Sequence, residues 1–323
     1  MSKKNINWGI IGCGDVAEIK SGPAFYKVEN SSLINVMRRN EEKVKDFAKR
    51  HKVANWTTNV SELINDKNVN AIYIATPPSS HLEYALQALK AGKDVYLEKP
   101  MVLNSKEAKV LSEAVVKGNN KVTIAHYRRS LPVFFKVKEL LLLNTIGKVT
   151  SAKITIAQSK KANIIAKTDV NWRIDPAISG GGYFHDIAPH QLDLMYYYFG
   201  DIASIKSIDL EKNKVSNEVV KGEIQFKNGV QFNGSWDFNA AEDADNCTII
   251  GEKGSISFSF YGEKVIVKVD ESVKTYQFSN PKHVQQAMIE KTVGYFLGNN
   301  ENPCTVNEAV IVTKIMDVFC GID

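Results

Sequence analysis

Three groups of residues in this sequence have types and spacings suited to chemistry. The first is Gly12-Cys13-Gly14-Asp15-Val16-Ala17, the spacing of a dinucleotide-binding turn. The first glycine permits a tight turn, the second lets backbone approach a pyrophosphate, and the small third residue lets helix and strand pack closely. Free N–H groups at the helix start, those of Asp15, Val16 and Ala17, then face the anion. The alternative is a purely structural turn. At the end of the next apolar run stand Arg38 and Arg39, where an NAD site commonly has an acid for the ribose 2′-hydroxyl. Guanidinium groups grip a 2′-phosphate instead, so the expected cofactor is NADP in preference to NAD. The same arginines could also be solvated and neutralised by Glu41 and Glu42.

The second group is Glu98-Lys99-Pro100, which follows the apolar run 94–97. Ligands of open α/β sheets bind beyond the carboxyl ends of strands, where an ammonium can hydrogen-bond a substrate hydroxyl or stabilise a developing alkoxide. Taken alone, a lysine such as Lys99 is more often a surface residue. The third group is Asp186, His190 and Asp193, at i, i+4 and i+7 behind Gly180-Gly181-Gly182. That spacing puts all three on one helical face, and a carboxylate near an imidazole can set its tautomer for acid–base work. A structural hydrogen bond fits the spacing as well. Trp172-Arg173 could line a pocket or simply pack, and His81 sits near a helix start as a structural or supporting residue. Pro189 fits best in a helix's first turn.

These residues need elements to carry them. Apolar runs at 6–12, 33–38, 71–75, 94–97 and 121–125 alternate with helical patterns at 15–28 (interrupted at Pro23), 41–51, from Ser79 or Ser80 to Gly92, and 104–117. Alternation of continuous apolar strands with helices predicts a doubly wound parallel sheet. Beyond residue 130 the pattern changes. A helix over 131–143 precedes strands at 149–158, 203–211, 219–226, 230–238, 246–251, 255–260, 264–269 and 273–278, with helices at 186–199, 283–297 and 306–320. Several strands alternate apolar and polar residues, which predicts a sheet with two unlike faces. The expectation is an α/β chain: a Rossmann domain over 1–126 and an α+β domain over 127–323.

Bulk properties agree. The 323 residues are 44% hydrophobic and 24% charged, with a formal net charge of +5; this is a globular, mildly basic chain long enough for two domains. The lysines are scattered, so no nucleic-acid partner is expected. The four cysteines show no metal-ligand spacing and are too few for a disulfide framework. No metal site is expected, and a reducing compartment is. The start of the chain lacks the features of a signal peptide and no apolar run reaches membrane-spanning length, so the expected location is cytoplasmic, without a membrane partner.

Together these residues resemble the glucose–fructose oxidoreductase / inositol dehydrogenase / rhizopine-catabolism family (Gfo/Idh/MocA). The resemblance runs nearly the whole length. It rests on the glycine turn, Ala75-Thr76-Pro77-Pro78-x-x-His81, Ala91-Gly92-Lys93-x-Val95-x-x-Glu98-Lys99-Pro100, Tyr127-Arg128-Arg129, Trp172-Arg173, the Gly180–Gly182 run and Asp186-x-x-x-His190-x-x-Asp193. It implies a second domain with a large, open, mostly antiparallel sheet that forms a homodimer or homotetramer interface. It implies that Lys99 orients the reacting hydroxyl or carbonyl by the nicotinamide, held by Glu98 and Pro100. His190 would be the general acid/base, and Asp186 would orient substrate and tune His190. Thr76, Pro77, His81, Glu98, Lys99 and Arg128 would lie along the cofactor; Lys99, Tyr127, Trp172, Arg173, Asp186 and His190 would line the substrate. Sugars, inositols and related polyols are the implied substrates. Ala188 replaces a common Gly, and Tyr127 a common Asn. Two other readings share these residues: an NAD-dependent glycosidase on the same fold, and a non-catalytic dinucleotide-binding regulator.

Overall fold

Short, fully apolar runs flanked by polar helices have one stable arrangement, a sheet covered on both faces, and the N-terminal part of the chain adopts it. The computed structural model describes residues 4–159, 171–208 and 219–322. Within the first compact unit, strands β1 (Ile6–Ile11), β2 (Ser31–Met37), β3 (Asn55–Thr57), β4 (Ala71–Ile74), β5 (Asp94–Leu97) and β6 (Val122–Ile124) form a six-stranded sheet. Its order is β3-β2-β1-β4-β5-β6 and every pairing is parallel. This is the Rossmann order, with its topological switch between β1 and β4. All residues of β4 and β5 are buried. Around the sheet lie α1 (Glu41–His51), α2 (Val60–Asn65), α3 (His81–Lys90) and α4 (Ser105–Lys117).

Three local outcomes differ from the sequence expectation. The helix expected over 15–28 is a π-helix at Ala17–Ser21 followed by a 3-10 helix at Gly22–Tyr26. Pro23 has no N–H for a continuing α-helix, and the Gly22 N–H closes the wider turn on the Ala17 carbonyl. Strand β3 and helix α2 had no expectation at all. β3 is three residues long, and α2 begins where Asn59 accepts from the Ser61 N–H. Ser80 holds the N-cap position of α3, but the chain before it is already a 3-10 helix (Pro78–Ser80), and its hydroxyl turns back to Thr76 Oγ1 at 2.7 Å.

The first unit runs to Tyr127 and also takes in Pro281–Ile311, whereas the sequence pattern places all of 127–323 in the second domain. Helix α8 (Gln286–Leu297) explains the difference. Its Phe296 ring lies 5.6 Å from Trp8 of β1, and its Tyr295 carbonyl accepts from Lys121 Nζ at 2.6 Å. Periodicity shows that a helix exists, but not which sheet it covers.

The second unit comprises Arg128–Asn280 and the residues from Val312 onward. Its eight strands are β7 (Val149–Ala157), β8 (Ile202–Ile208), β9 (Val219–Phe226), β10 (Gln231–Asp237), β11 (Ala244–Gly251), β12 (Gly254–Phe258), β13 (Lys264–Val269) and β14 (Ser272–Gln277). They run in the order β14-β13-β12-β11-β7-β10-β9-β8. Among the described residues, only β7 and β10 pair in parallel; the other pairings are antiparallel. The positions 209–211 of the expected strand 203–211 lie outside the described residues. Burial alternates strictly along β9, with Val220, Gly222, Ile224 and Phe226 inward. The short α6 (Pro176–Ser179) precedes α7 (Tyr183–Phe199), and the inward face packs on α5 (Pro132–Leu142), α7 and the later residues of α9 (Val306–Phe319), as the contacts Phe134–Phe258, Phe184–Trp236 and Trp236–Phe319 show. Among the described residues, no helix is long and apolar enough to cross a membrane.

Candidate active site

The glycine turn begins where β1 ends. Gly12 has φ +91°, and a Cβ there would stand 2.8 Å from Thr76 Cγ2 and 2.9 Å from the Ala75 carbonyl carbon. Only glycine serves in that position. A Cβ on Gly14 would meet nothing within 4 Å, so open space lies over the second glycine, where a pyrophosphate would need to approach. Ala17 is fully buried and Asp15 is exposed. A dinucleotide therefore fits this turn on both counts, space above and close packing below. Arg38 donates from Nη1 to the Cys13 carbonyl at 3.1 Å, which fixes its guanidinium beside the turn, while Arg39 points to solvent. Burial pushes the Cys13 thiol up to about 11, so it stays an un-ionised packing group.

Two strands away in the same sheet, β5 delivers Glu98-Lys99-Pro100 to the same carboxyl edge. The spacing of adjacent strands puts this edge position about 10 Å from the glycine turn. Lys99 is half-buried, and the Lys99–Pro100 peptide is cis. Glu98 faces inward. Its Oε1 accepts from the Tyr73 hydroxyl at 2.5 Å and from Gln285 Nε2 at 2.6 Å, and its Oε2 accepts from the Lys99 N–H at 3.2 Å. Burial, with Glu98 alongside, pushes the Tyr73 hydroxyl well above its usual range, so it remains a neutral donor.

His81 is fully buried, with Nδ1 2.9 Å from the Pro100 carbonyl and Nε2 2.8 Å from the Thr76 carbonyl. Burial draws its imidazole below the ordinary range against the pull of those carbonyls. The ring has no exposure, and as a neutral imidazole it carries one N–H to donate to one of these two carbonyls. The His81 ring thus sits between the Thr76-Pro77 loop and the Pro100 loop, and Glu98 accepts from the Lys99 N–H. Thr76 and Pro77 are half-buried beside the glycine turn.

In the second unit, α7 carries Asp186, His190 and Asp193 on one face, as their spacing requires. The glycine run explains the helix start. Gly180 and Gly182 have φ of +93° and +83°, and a Cβ on Gly181 would collide with the His185 ring. The helix begins at Tyr183, so Pro189 lies in its interior and not in its first turn; the His185 carbonyl consequently lacks an i+4 donor. Arg173 Nε donates to Asp186 Oδ2 at 2.8 Å, and its guanidinium lies 4.5 Å from the Trp172 ring. Arg129 grips Asp193 from Nε at 2.9 Å and Nη2 at 2.7 Å, with both side chains almost completely buried. His190 is buried between these two ion-paired carboxylates in sequence. His185 is buried as well, which pulls its pKa down to about 4. Arg128 donates to the Phe260 carbonyl and stacks 4.5 Å from Tyr261, so the structure ties it to the second unit's aromatic groups. Tyr127 is buried at the end of the first unit.

Sequence reasoning missed Tyr73, Gln285 and the pairing of Arg129 with Asp193. An open concavity of about 620 Å³ on the second sheet, lined in part by Asp245, Tyr261, Glu263 and Lys264, contains none of the candidate residues.

Comparison with known proteins agrees with this layout. A family model described as an oxidoreductase family with an NAD-binding Rossmann fold matches residues 6–126, and the GFO/IDH/MocA C-terminal domain matches residues 134–257. The chain is 65% identical over 319 residues to a Formosa agariphila protein named as an oxidoreductase, covering 99% of each. It is 27% identical over 212 residues to levoglucosan dehydrogenase of Pseudarthrobacter phenanthrenivorans, covering 64% of this chain and 54% of the relative. Among solved structures, levoglucosan dehydrogenase in complex with NADH and levoglucosan superimposes with a TM-score of 0.86 at 22% identity, over 98% of this chain and 97% of the other.

Proposed function

The chain belongs to the Gfo/Idh/MocA oxidoreductase family, and from that premise we propose that it is a sugar or polyol dehydrogenase/reductase with a preference for NADP. The carrying observation is the carboxyl edge of the first sheet: an open glycine turn on β1, and two strands along it a lysine fixed by a buried carboxylate. The nicotinamide, when bound, would supply the hydride acceptor or donor. Gly12, Gly14, Asp15, Val16 and Ala17 would hold the pyrophosphate, with Thr76 and Pro77 beside it.

The chain's own chemistry is proton handling and orientation. The Lys99 ammonium hydrogen-bonds the reacting oxygen and offsets negative charge that develops there. His190 takes the hydroxyl proton during oxidation and returns it during reduction. Asp186, held by Arg173, orients a substrate hydroxyl. Trp172 and Tyr127 contribute apolar surface for a sugar ring. Relatives named for levoglucosan, 1,5-anhydrofructose and glucose 6-phosphate support a carbohydrate substrate. Arg38, fixed beside the glycine turn, with exposed Arg39 supports NADP. The outer face of the second sheet, with exposed Val219 and Ile250, supports association as a homodimer or homotetramer.

A panel of aldoses, anhydrosugars, inositols and keto-sugars, run with NAD and NADP in both directions, tests this reading. A change at the reduced-nicotinamide absorbance band supports it. A flat trace with release of a free sugar from a glycoside identifies a glycosidase instead.

A further inference from the structure

We propose that Gln285 is a positioning residue for Lys99. The proposal rests on Lys99 being the group that meets the reacting oxygen. Gln285 lies 187 positions from Glu98 in sequence, yet is fully buried against it. Its side-chain amide and its N–H are all engaged within the first unit. Its Nε2 donates to Glu98 Oε1 at 2.6 Å, its Oε1 accepts from the Tyr96 hydroxyl at 2.9 Å, and its N–H donates to the Lys20 carbonyl at 3.2 Å. Two residues earlier, His283 Nδ1 meets the Ile19 carbonyl at 3.0 Å, and Lys27 Nζ lies 3.0 Å from its Nε2. Segment 283–285 therefore braces the π-helix that follows the glycine turn against the carboxylate that precedes Lys99.

The residue type is specific to this task. A buried carboxylate needs a donor, and the Tyr96 hydroxyl needs an acceptor. Glutamine supplies both without charge. A hydrocarbon would leave both partners wanting, and an ionised carboxylate would repel Glu98. Because Glu98 Oε2 accepts from the Lys99 N–H, rotating that carboxylate moves the backbone that aims Lys99. The titratable groups that face this cluster include Tyr73 on β4, Tyr96 on β5 and His81 on α3, each close enough to feel the Glu98 charge, with Tyr127 and Cys304 against Tyr96. Ser21 completes it, its hydroxyl 3.0 Å from that of Tyr73.

The test uses full-length Gln285→Leu and Gln285→Glu proteins with two readouts. The first is the rate of reductive methylation of Lys99, followed by mass spectrometry with the exposed lysines as internal reference, which needs no substrate. Gln285→Leu should change the Lys99 rate by about threefold or more, since half a pKa unit gives that factor, with the reference lysines unchanged. The second is the pH profile of turnover with whichever sugar the panel identifies. In Gln285→Glu the two carboxyl groups share one proton at low pH and keep the brace; as pH rises and the proton leaves, kcat should fall about 10- to 100-fold with KM nearly constant. Wild type should show no such limb. Should Gln285→Leu fail to fold, Gln285→Glu at low and high pH carries both readouts. Folded variants with wild-type Lys99 labelling and a wild-type pH profile overturn the proposal, whatever their melting temperature. If wild type turns over no sugar, the functional reading fails, and the labelling result alone decides the role of Gln285.

Discussion

The two regions that carry candidate chemistry are held in place by different physics. Beside Lys99 lies one buried carboxylate, Glu98, which accepts from neutral donors: the Tyr73 hydroxyl, the Gln285 amide and a backbone N–H. Around His190 the helix α7 is fixed by ion pairs, Arg129 with Asp193 and Arg173 with Asp186. A strand end presents its residues at a sheet edge that neighbouring strands already define, so weak neutral bonds suffice to aim a loop. A helix can rotate and slide on a sheet, and a bidentate guanidinium–carboxylate pair fixes both motions. The lysine region should therefore respond to loss of single hydrogen bonds in modest steps, and the histidine region to loss of a charge in one large step.

Breaking the ionic side should give the largest effect. Arg129→Met leaves Asp193 buried without its main partner and should cost about 3–5 kcal/mol, read from urea denaturation; Arg129→Met with Asp193→Leu should recover much of that loss. Next comes acid sensitivity at the start of α7. Burial holds the His185 pKa down to about 4 in the folded chain, against 6.5 for an ordinary imidazole. The unfolded chain therefore binds the extra proton between these values, and stability falls as pH drops from about 6.5 to 4, by about 3 kcal/mol in total. His185→Gln should flatten that part of the stability–pH curve. On the neutral side, Tyr73→Phe removes one of two donors to Glu98 Oε1 and should cost about 1–3 kcal/mol. A loss from Tyr73→Phe equal to that from Arg129→Met would erase the distinction. The smallest expected effect is on cofactor choice: Arg38→Ala should lower the NADPH-to-NADH affinity ratio about tenfold, near 1.4 kcal/mol, measured by fluorescence titration of both.

What the sequence made legible follows the same division. The glycine turn, the strand end at Lys99 and the common face of Asp186, His190 and Asp193 are all set by spacing within a few residues, and local geometry reproduces them. The parallel sheet and a second sheet with two unlike faces were legible for the same reason, since continuous and alternating apolar runs differ over six residues; that the second sheet is mostly antiparallel came from the family resemblance. What holds the chemistry was not legible. Gln285 reaches Glu98 across 187 positions, and no spacing rule links residues so far apart. Tyr73 sits in an all-buried strand, where one hydroxyl among apolar neighbours carries no signal of its partner. His81 and Glu98 border the expected cofactor residues, and no local spacing shows that both side chains are buried. Pro189 was misplaced because the helix start depends on two glycines with positive φ, a backbone property that side-chain periodicity does not report.

The most direct measurement compares wild type with Lys99→Met in two assays on the same samples: NADPH binding by fluorescence, and sugar-dependent change in reduced-nicotinamide absorbance. The expected result is cofactor binding within a few-fold of wild type and turnover lower by about 100- to 1,000-fold, the scale for losing one preorganised group at a developing oxyanion. Undiminished turnover in Lys99→Met would contradict the assignment of chemistry to the carboxyl edge of β5.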